Sequence, residues 1–538
     1  MNAIRDVVIV GAGHAGFSLA NALADAGFDG RIVLVNREDH LPYQRPPLSK
    51  KYMSDGRHED LFFQTKGFFE NGNVVLVPDS VGAIDRNSQV VLTKSGERIP
   101  YDALVLATGT SAIRISLPGD DGDVAYLDSL DAAISLRRRL SEARRIAVIG
   151  AGFIGMEFAA GAISKSISVS IVDNASRPME RSVSQSTSMY FRDELAKAGV
   201  AFHFRNSAIS LCKRNGKIES VGLQDGGEMP ADLVLSGVGT KPNVELALQA
   251  GLFCSNGVVV NEFLATSDPN IFAIGDCAAF PAVDGKSHSR ITSVQNASDQ
   301  GRYLAHRLLG RKGNPYRKIP WFWSDQGPNK LQIAGLSGDA NSFVTRKSDM
   351  AGKFSIFGYR EGRLVSVESI NRPGDHALAR KILEQGISPD PEMVGSPDFD
   401  LRALFGKVSS RQEIGVQPER AVRRDGHGDV ACADRCVWRD GVYSWKVRPG
   451  LASIAGQACR LRLWHVHPVR SYCARRNCEA LQDSDSAVLE IYPCRDCSRT
   501  GYLFVRECAS TIDRKARAVW MPEADRRSGD ACRYYLQS

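Results

Sequence analysis

The sequence predicts an α/β chain of two Rossmann-like crossover domains followed by a smaller α+β domain. Three observations predict it. A glycine-rich turn between a short apolar run and a helical segment occurs twice, at Gly11 to Gly16 and at Gly150 to Gly155. Each turn is followed by a second apolar run at the spacing of a βαβ unit. From Trp321 onward the pattern changes to short alternating strands.

The elements follow in order. Val7-Val8-Ile9-Val10 is a short buried strand, Gly11-Ala12-Gly13-His14-Ala15-Gly16 the turn and Phe17 to Ala24 a helix, with Arg31 to Val35 the next strand. Glycines in such a turn let the backbone approach a pyrophosphate, whose charge then sits on the helix N-terminus. Gly11, Gly13, Ala15 and Gly16 are therefore candidate contacts. The pattern recurs at Arg145 to Ile149, Gly150-Ala151-Gly152-Phe153-Ile154-Gly155, a helix from Met156, and the strand Val169 to Val172 ending at Asp173. Gly150, Gly152, Ile154 and Gly155 are the matching candidates. One glycine turn alone is weak; two copies, each after a strand and before a helix, imply two dinucleotides.

Two further apolar strands, in Tyr101 to Thr110 and Ala231 to Asn243, end in glycine turns and add Ala107, Thr108, Gly109 and Gly239. Thr266 to Asp276 is a strand that delivers an acid at its carboxyl end. Gly275 and Asp276 are placed to hold a flavin ribityl chain, a position a helix N-cap acid would also fill. The FAD domain is placed at about 1–110 and 245–320, the NADH domain at 111–244, the α+β domain, with a helix from His376 to Gln385, at 321–405, and a tail at 406–538.

The residue after the second strand of each unit selects the ribose, because a carboxylate accepts from the 2′-hydroxyl and repels a 2′-phosphate. Asp173 occupies that place in the second unit and favours NADH over NADPH, a solvated acid being the alternative. In the first unit the stretch is Asn36-Arg37-Glu38, with Glu38 the candidate ribose ligand. Lys50 and Glu157 are the candidate catalytic pair: an ion pair beside the flavin would hold a cation near its reducible nitrogen. An ordinary surface lysine is the alternative.

Charge and cysteine set the tail apart. Residues 407–538 hold 23 Lys+Arg against 16 Asp+Glu, leaving 45 of each before them, so the whole net charge of +7 belongs to the tail. Nine of the 12 cysteines lie there too; Cys212, Cys254 and Cys277 alone fall in the body, which reads as reduced and cytoplasmic. Neither a signal peptide nor a membrane span is read. Cys432/Cys436, Cys473/Cys478 and Cys494/Cys497 with His465 and His467 fit no regular zinc ligand set, so no metal is expected. The scattered charge argues against nucleic acid. An arginine- and cysteine-rich, patternless extension suggests a shifted reading frame, and disorder is expected if it is translated.

The segment Pro42-Tyr43-Gln44-Arg45-Pro46-Pro47-Leu48-Ser49-Lys50 resembles the ferredoxin reductases of bacterial oxygenase systems, the putidaredoxin and rhodocoxin reductase group of the pyridine nucleotide-disulfide oxidoreductase superfamily. Gly150 to Glu157, Thr266 to Asp276, Ser293 to Ala297 and Pro320 to Gln326 match as well, so the resemblance covers about the first 405 residues. It implies that Lys50 and Glu157 pair near the flavin and that Trp321 packs by the ring; Arg45, Val81 and Val294 complete the candidate cofactor contacts. It also implies that NADH donates hydride to the isoalloxazine and that single electrons then pass to an iron–sulfur protein, flavin being needed because nicotinamide moves electrons in pairs. Related disulfide reductases carry a redox cysteine pair after the first βαβ unit, yet Pro42 to Tyr52 holds no cysteine, and Cys277 is expected to be a packing residue.

Three departures stand out: Arg37 where relatives often have an acid, Asp128 where they have arginine, and Thr292 where they have glutamate. The first two suggest a charge exchange, with Arg37 and Asp128 close together near the adenosine half of FAD. The expected partner is a 2Fe-2S ferredoxin or rubredoxin, met through Arg302, Arg307, Arg311 and Arg317 or with those residues simply solvated. The expected assembly is a monomer or weak homodimer. A flavoprotein with a regulatory or partner-binding role, its tail an adaptor, is the alternative.

Overall fold

Runs of Val, Ile and Leu too uniformly apolar for a solvated face form two parallel sheets. In the computed structural model, which describes residues 4–282, 287–311, 313–348, 350–396 and 398–404 and four three-residue strands beyond them, the first sheet has the order Ile271–Ala273, Ala103–Leu106, Asp6–Val10, Arg31–Val35, Val74–Val77. The second has the order Ala201–Phe204, Ser168–Asp173, Arg145–Ile149, Leu233–Ser236. In both, the strand leading into the glycine turn is interior, and strand order reverses beside it. Each turn therefore opens onto a switch point at the carboxyl edge, where an α/β sheet leaves a crevice.

Helix His14–Asp25 follows the first turn and Phe153–Ile163 the second, the latter starting three residues before the Met156 expected. Each crossover unit also carries a three-stranded antiparallel sheet: Val81–Asp85, Val90–Thr93 and Arg98–Pro100 in one, Ala208–Arg214, Lys217–Leu223 and Glu228–Pro230 in the other. The chain passes between units where Thr110–Ala112 pairs antiparallel with Thr240–Pro242. Beside that crossing the Thr108 hydroxyl donates to the Asn243 carbonyl and the Asn243 amide donates to the Thr108 carbonyl, both at 2.8 Å. This reciprocal latch fixes the two switch points relative to each other.

The third sheet is antiparallel, in the order Trp321–Gln326, Asn329–Gly335, Arg363–Ile370, Phe354–Arg360, Ser342–Lys347. Helix Pro373–Glu384 packs on it, beginning three residues before the expected His376 because Pro373 suits a first helical turn. Glu368, fully buried on this sheet, accepts hydrogen bonds from the Ser184 amide (2.7 Å), the Ser184 hydroxyl (2.6 Å) and the Thr187 hydroxyl. Those donors lie at the N-terminus of helix Gln185–Lys197, so hydrogen bonds and the helix dipole compensate a carboxylate that burial would otherwise penalise. The contact ties the third sheet to the second crossover unit.

The chain divides at Val416, and in the second unit Val437–Arg439 pairs antiparallel with Val442–Ser444 and Val488–Glu490 with Arg533–Tyr535. The expectations for the cysteine-rich tail otherwise fall outside the described residues. Among those described, no helix is long and apolar enough to cross a membrane.

Candidate functional site

The carboxyl edges of both parallel sheets and the first strands of the third line one cleft of about 1210 Å³. Its glycines divide by task. Gly11 has φ +107°, and a Cβ there would stand 2.4 Å from the Ala107 carbonyl oxygen; one on Gly16 would stand 2.0 Å from that of Gly11. Gly150 and Gly155 repeat this, at 2.7 Å from Gly237 O and 2.1 Å from Gly150 O. These four keep strand, turn and helix in contact. Gly13 faces open space, and the nearest atom to a Cβ on Gly152 is 3.9 Å away, so the middle glycine of each turn leaves room for a ligand to reach the backbone. Both are N-caps without a side-chain cap, followed by a first turn without an acid. The free amides suit an anion.

Asp276 follows Gly275, whose φ of +75° and N–H hydrogen bond to the Gln300 side-chain Oε1 (2.7 Å) set the turn. Its carboxylate lines the cleft with no partner among the described residues, as an acid awaiting a hydroxyl would. Burial pushes it up from 3.8 to about 6, against the pull of Arg290 and Arg45. The unfolded chain therefore releases this proton first as pH rises, and the Asp276 contribution to stability, full below 3.8, is lost on the way to about 6. In the flavin-free protein the melting temperature of the wild type should fall relative to Asp276→Asn across that window. A constant difference would contradict the placement.

Lys50 and Glu157 do meet, Nζ to Oε1, at 3.1 Å. Glu157 comes from the second helix and is buried; it also accepts from the hydroxyls of Ser49 (2.8 Å) and Ser324 (2.7 Å). Two hydroxyls and one ammonium thus offset the desolvation of a buried carboxylate. Lys50 lies 6.0 Å from the Trp323 ring centroid, and Trp323 packs on Trp321, which Arg380 covers at 4.7 Å and His376 meets edge-on.

The cleft wall around Glu38 differs from what the sequence suggested. Both Glu38 oxygens are taken, one by Arg45 and one by the Tyr43 hydroxyl, each at 2.5 Å. Burial opposes the Arg45 charge, but Tyr43, Glu38 and Asp128 outweigh it and hold the guanidinium above its ordinary value. The expected pairing of Arg37 with Asp128 is not made: Asp128 is bonded to Arg114 at 2.8 Å, while its backbone carbonyl accepts from Arg45. Proximity in the chain decides this, since Arg114 follows the strand that Asp128 packs beside. Thr292 lines the cleft with nothing in the structure to explain the departure.

Val81, Ala107, Thr108, Gly109, Ile154, Gly239, Val294 and Trp321 line the cleft; Gly16, Gly150, Gly155, Asp173 and Gly275 do not, and act behind it or beyond its rim. Asp173 reaches back to the amides of Ala151 (2.6 Å) and Ala175 (2.8 Å), bracing the second glycine turn. Cys277 is fully buried, its thiol pushed up by burial and directed at the Leu106 and Ile274 carbonyls. Of the four arginines read as a landing site, Arg302 pairs with Asp299 (2.5 Å), Arg307 covers Phe263 and Arg311 meets His306. Sequence reasoning missed Ser236, whose buried hydroxyl lines the cleft without a partner, and the hydroxyls of Ser49 and Ser324. A serine ending an otherwise aliphatic strand was the available signal for the first.

Two open glycine turns, an unpartnered carboxylate and an orphaned hydroxyl in one cleft fit a flavin dinucleotide and a nicotinamide dinucleotide. Comparison agrees. The model of the pyridine nucleotide-disulphide oxidoreductases matches residues 5–301 and that of the reductase C-terminal domain residues 321–405. Rhodocoxin reductase of Rhodococcus erythropolis is 42% identical over 74% of this chain and 94% of its own. The crystal structure of the ferredoxin reductase for the CYP199A2 system from Rhodopseudomonas palustris is 45% identical, with a TM-score of 0.72 over 74% of this chain and 99% of that one. The covalent putidaredoxin reductase–putidaredoxin complex is 34% identical, with a TM-score of 0.72 over 76% and 100%.

Proposed function

We propose, for a chain that belongs to the pyridine nucleotide-disulphide oxidoreductases and among them to the FAD-dependent ferredoxin reductases, that it passes electrons from NADH to a 2Fe-2S ferredoxin, or to rubredoxin as a variant, serving a monooxygenase or ring dioxygenase. It is an oxidoreductase that works with FAD and NADH. Bound FAD supplies the conversion of a hydride into single electrons. The chief support is the pair of half-buried Lys50 with buried Glu157 in a cleft that both glycine turns share.

In this reading the turns at Gly13 and Gly152 receive the two pyrophosphates, and Asp276 accepts from the ribityl hydroxyls. Lys50, held by Glu157, keeps a positive charge where negative charge arrives. Trp321 and Trp323 wall the flavin end. The body with three cysteines suits a cytoplasmic enzyme, taken as a monomer or weak homodimer.

Stopped-flow mixing tests the proposal. NADH should bleach the flavin rapidly, and a 2Fe-2S ferredoxin added next should be reduced in turn; a flavin that NADH leaves oxidised would refute it. Asp173, outside the cleft and bonded to the Ala151 and Ala175 amides, is expected to act by holding the second glycine turn. Its replacement by Ala should raise the KM for NADH by about tenfold through loss of that brace. An unchanged KM would remove Asp173 from nucleotide binding.

A further inference from the structure

The adenosine end of the first dinucleotide site carries a cation where a ribose-binding carboxylate would stand. Asn36, buried after strand Arg31–Val35, shapes the loop: its amide donates to the carbonyls of Glu38 (3.0 Å) and His40 (2.8 Å). The loop so held turns Glu38 toward Arg45 and Tyr43, which occupy both its oxygens. Arg37 is left exposed on the cleft wall, with no hydrogen bond, ion pair or ring contact among the described residues. Lys94 lines the same wall, its side chain likewise without a partner. Asp79, the nearby acid, is spent on the Ser80 (2.6 Å) and Ser95 (3.1 Å) amides. Asp128 is spent on Arg114.

A carboxylate at the end of the second strand of such a unit accepts from the ribose 2′-hydroxyl and repels a 2′-phosphate, whereas an arginine there accommodates one. We propose that Arg37, with Lys94, makes the adenosine end of the first site a receptor for 2′-phosphorylated adenosine nucleotides, so that these compete with FAD for the flavin-free chain. The inference rests on reading the first site as a dinucleotide site. It concerns only which adenosine that site prefers. A guanidinium meeting a doubly charged phosphate forms charge-assisted hydrogen bonds that an acid in the same place would forbid.

Full-length protein stripped of flavin, titrated with FAD while flavin fluorescence is followed, provides the test, with AMP and adenosine 2′,5′-bisphosphate as competitors. The bisphosphate should compete at a concentration on the order of tenfold lower than AMP, the size of one or two charge-assisted hydrogen bonds. Arg37→Gln should bring the two together, and Arg37→Glu should make AMP the better competitor. Raising the salt concentration should narrow the wild-type gap. Equal competition in the wild type, competition by neither, or a gap that Arg37→Gln leaves intact would each overturn the inference. Bleaching of bound flavin by NADH tests the dinucleotide reading separately, because it does not depend on the 2′ position of the adenosine.

Discussion

Gly16→Val should yield a full-length protein that is colourless and takes up no flavin, whereas Gly155→Val should remain yellow and be reduced by NADH at least about a hundredfold more slowly. The contrast follows from geometry. A Cβ on Gly16 would lie 2.0 Å from the Gly11 carbonyl oxygen, and one on Gly155 would lie 2.1 Å from that of Gly150. Neither obstacle is the end of a flexible side chain, so in each case the turn must move away from its helix. The two turns belong to separate parallel sheets, and in the proposed reading the first shapes the flavin site and the second the nicotinamide site. Flavin absorbance per protein and stopped-flow bleaching read the two outcomes independently. A yellow Gly16→Val that NADH reduces at the wild-type rate would remove the first turn from flavin binding.

The second large effect is expected at Lys50. Lys50→Met should slow flavin reduction by about a hundredfold to a thousandfold, as loss of one preorganised charge-stabilising group does. It should also lower stability by roughly 3–5 kcal/mol, because Glu157 would stay buried with only the Ser49 and Ser324 hydroxyls as partners. Pairing it with Glu157→Gln separates the two consequences. The double variant should recover most of the melting temperature, since no charge is left unpaired, and recover none of the rate, since the cation is still missing. Recovery of both would make the pair structural.

Much of this site could be read from the chain. The two glycine turns, the strands before them and the acid at Asp276 are local features: a run such as Val7 to Val10 has to be buried on both faces, and a glycine at φ +107° admits few substitutes. The pairing of Lys50 with Glu157 was expected from resemblance, and the structure places the two side chains at 3.1 Å. The sequence suggested a charge exchange between Arg37 and Asp128, and the structure instead pairs Asp128 with Arg114. Three arginines compete for the acids Glu38 and Asp128, and which of them wins depends on loop paths set by Asn36 and by the strand before Arg114. The antiparallel sheets flanking each crossover also escaped notice, because short strands with exposed faces lack the uniform apolarity that marks a buried one.

The amino-acid order by itself determined two crossover units, their glycine turns and the change to an antiparallel domain at Trp321, because strand burial and backbone freedom are properties of neighbouring residues. Only the tertiary structure decided that both turns open into one cleft, that Glu157 gathers Lys50, Ser49 and Ser324 around it, and that Glu38 turns toward Arg45 and Tyr43 while Arg37 stays exposed on the cleft wall. Those outcomes are fixed by which charged groups become desolvated together, and residues more than a hundred positions apart meet only once the sheets have packed.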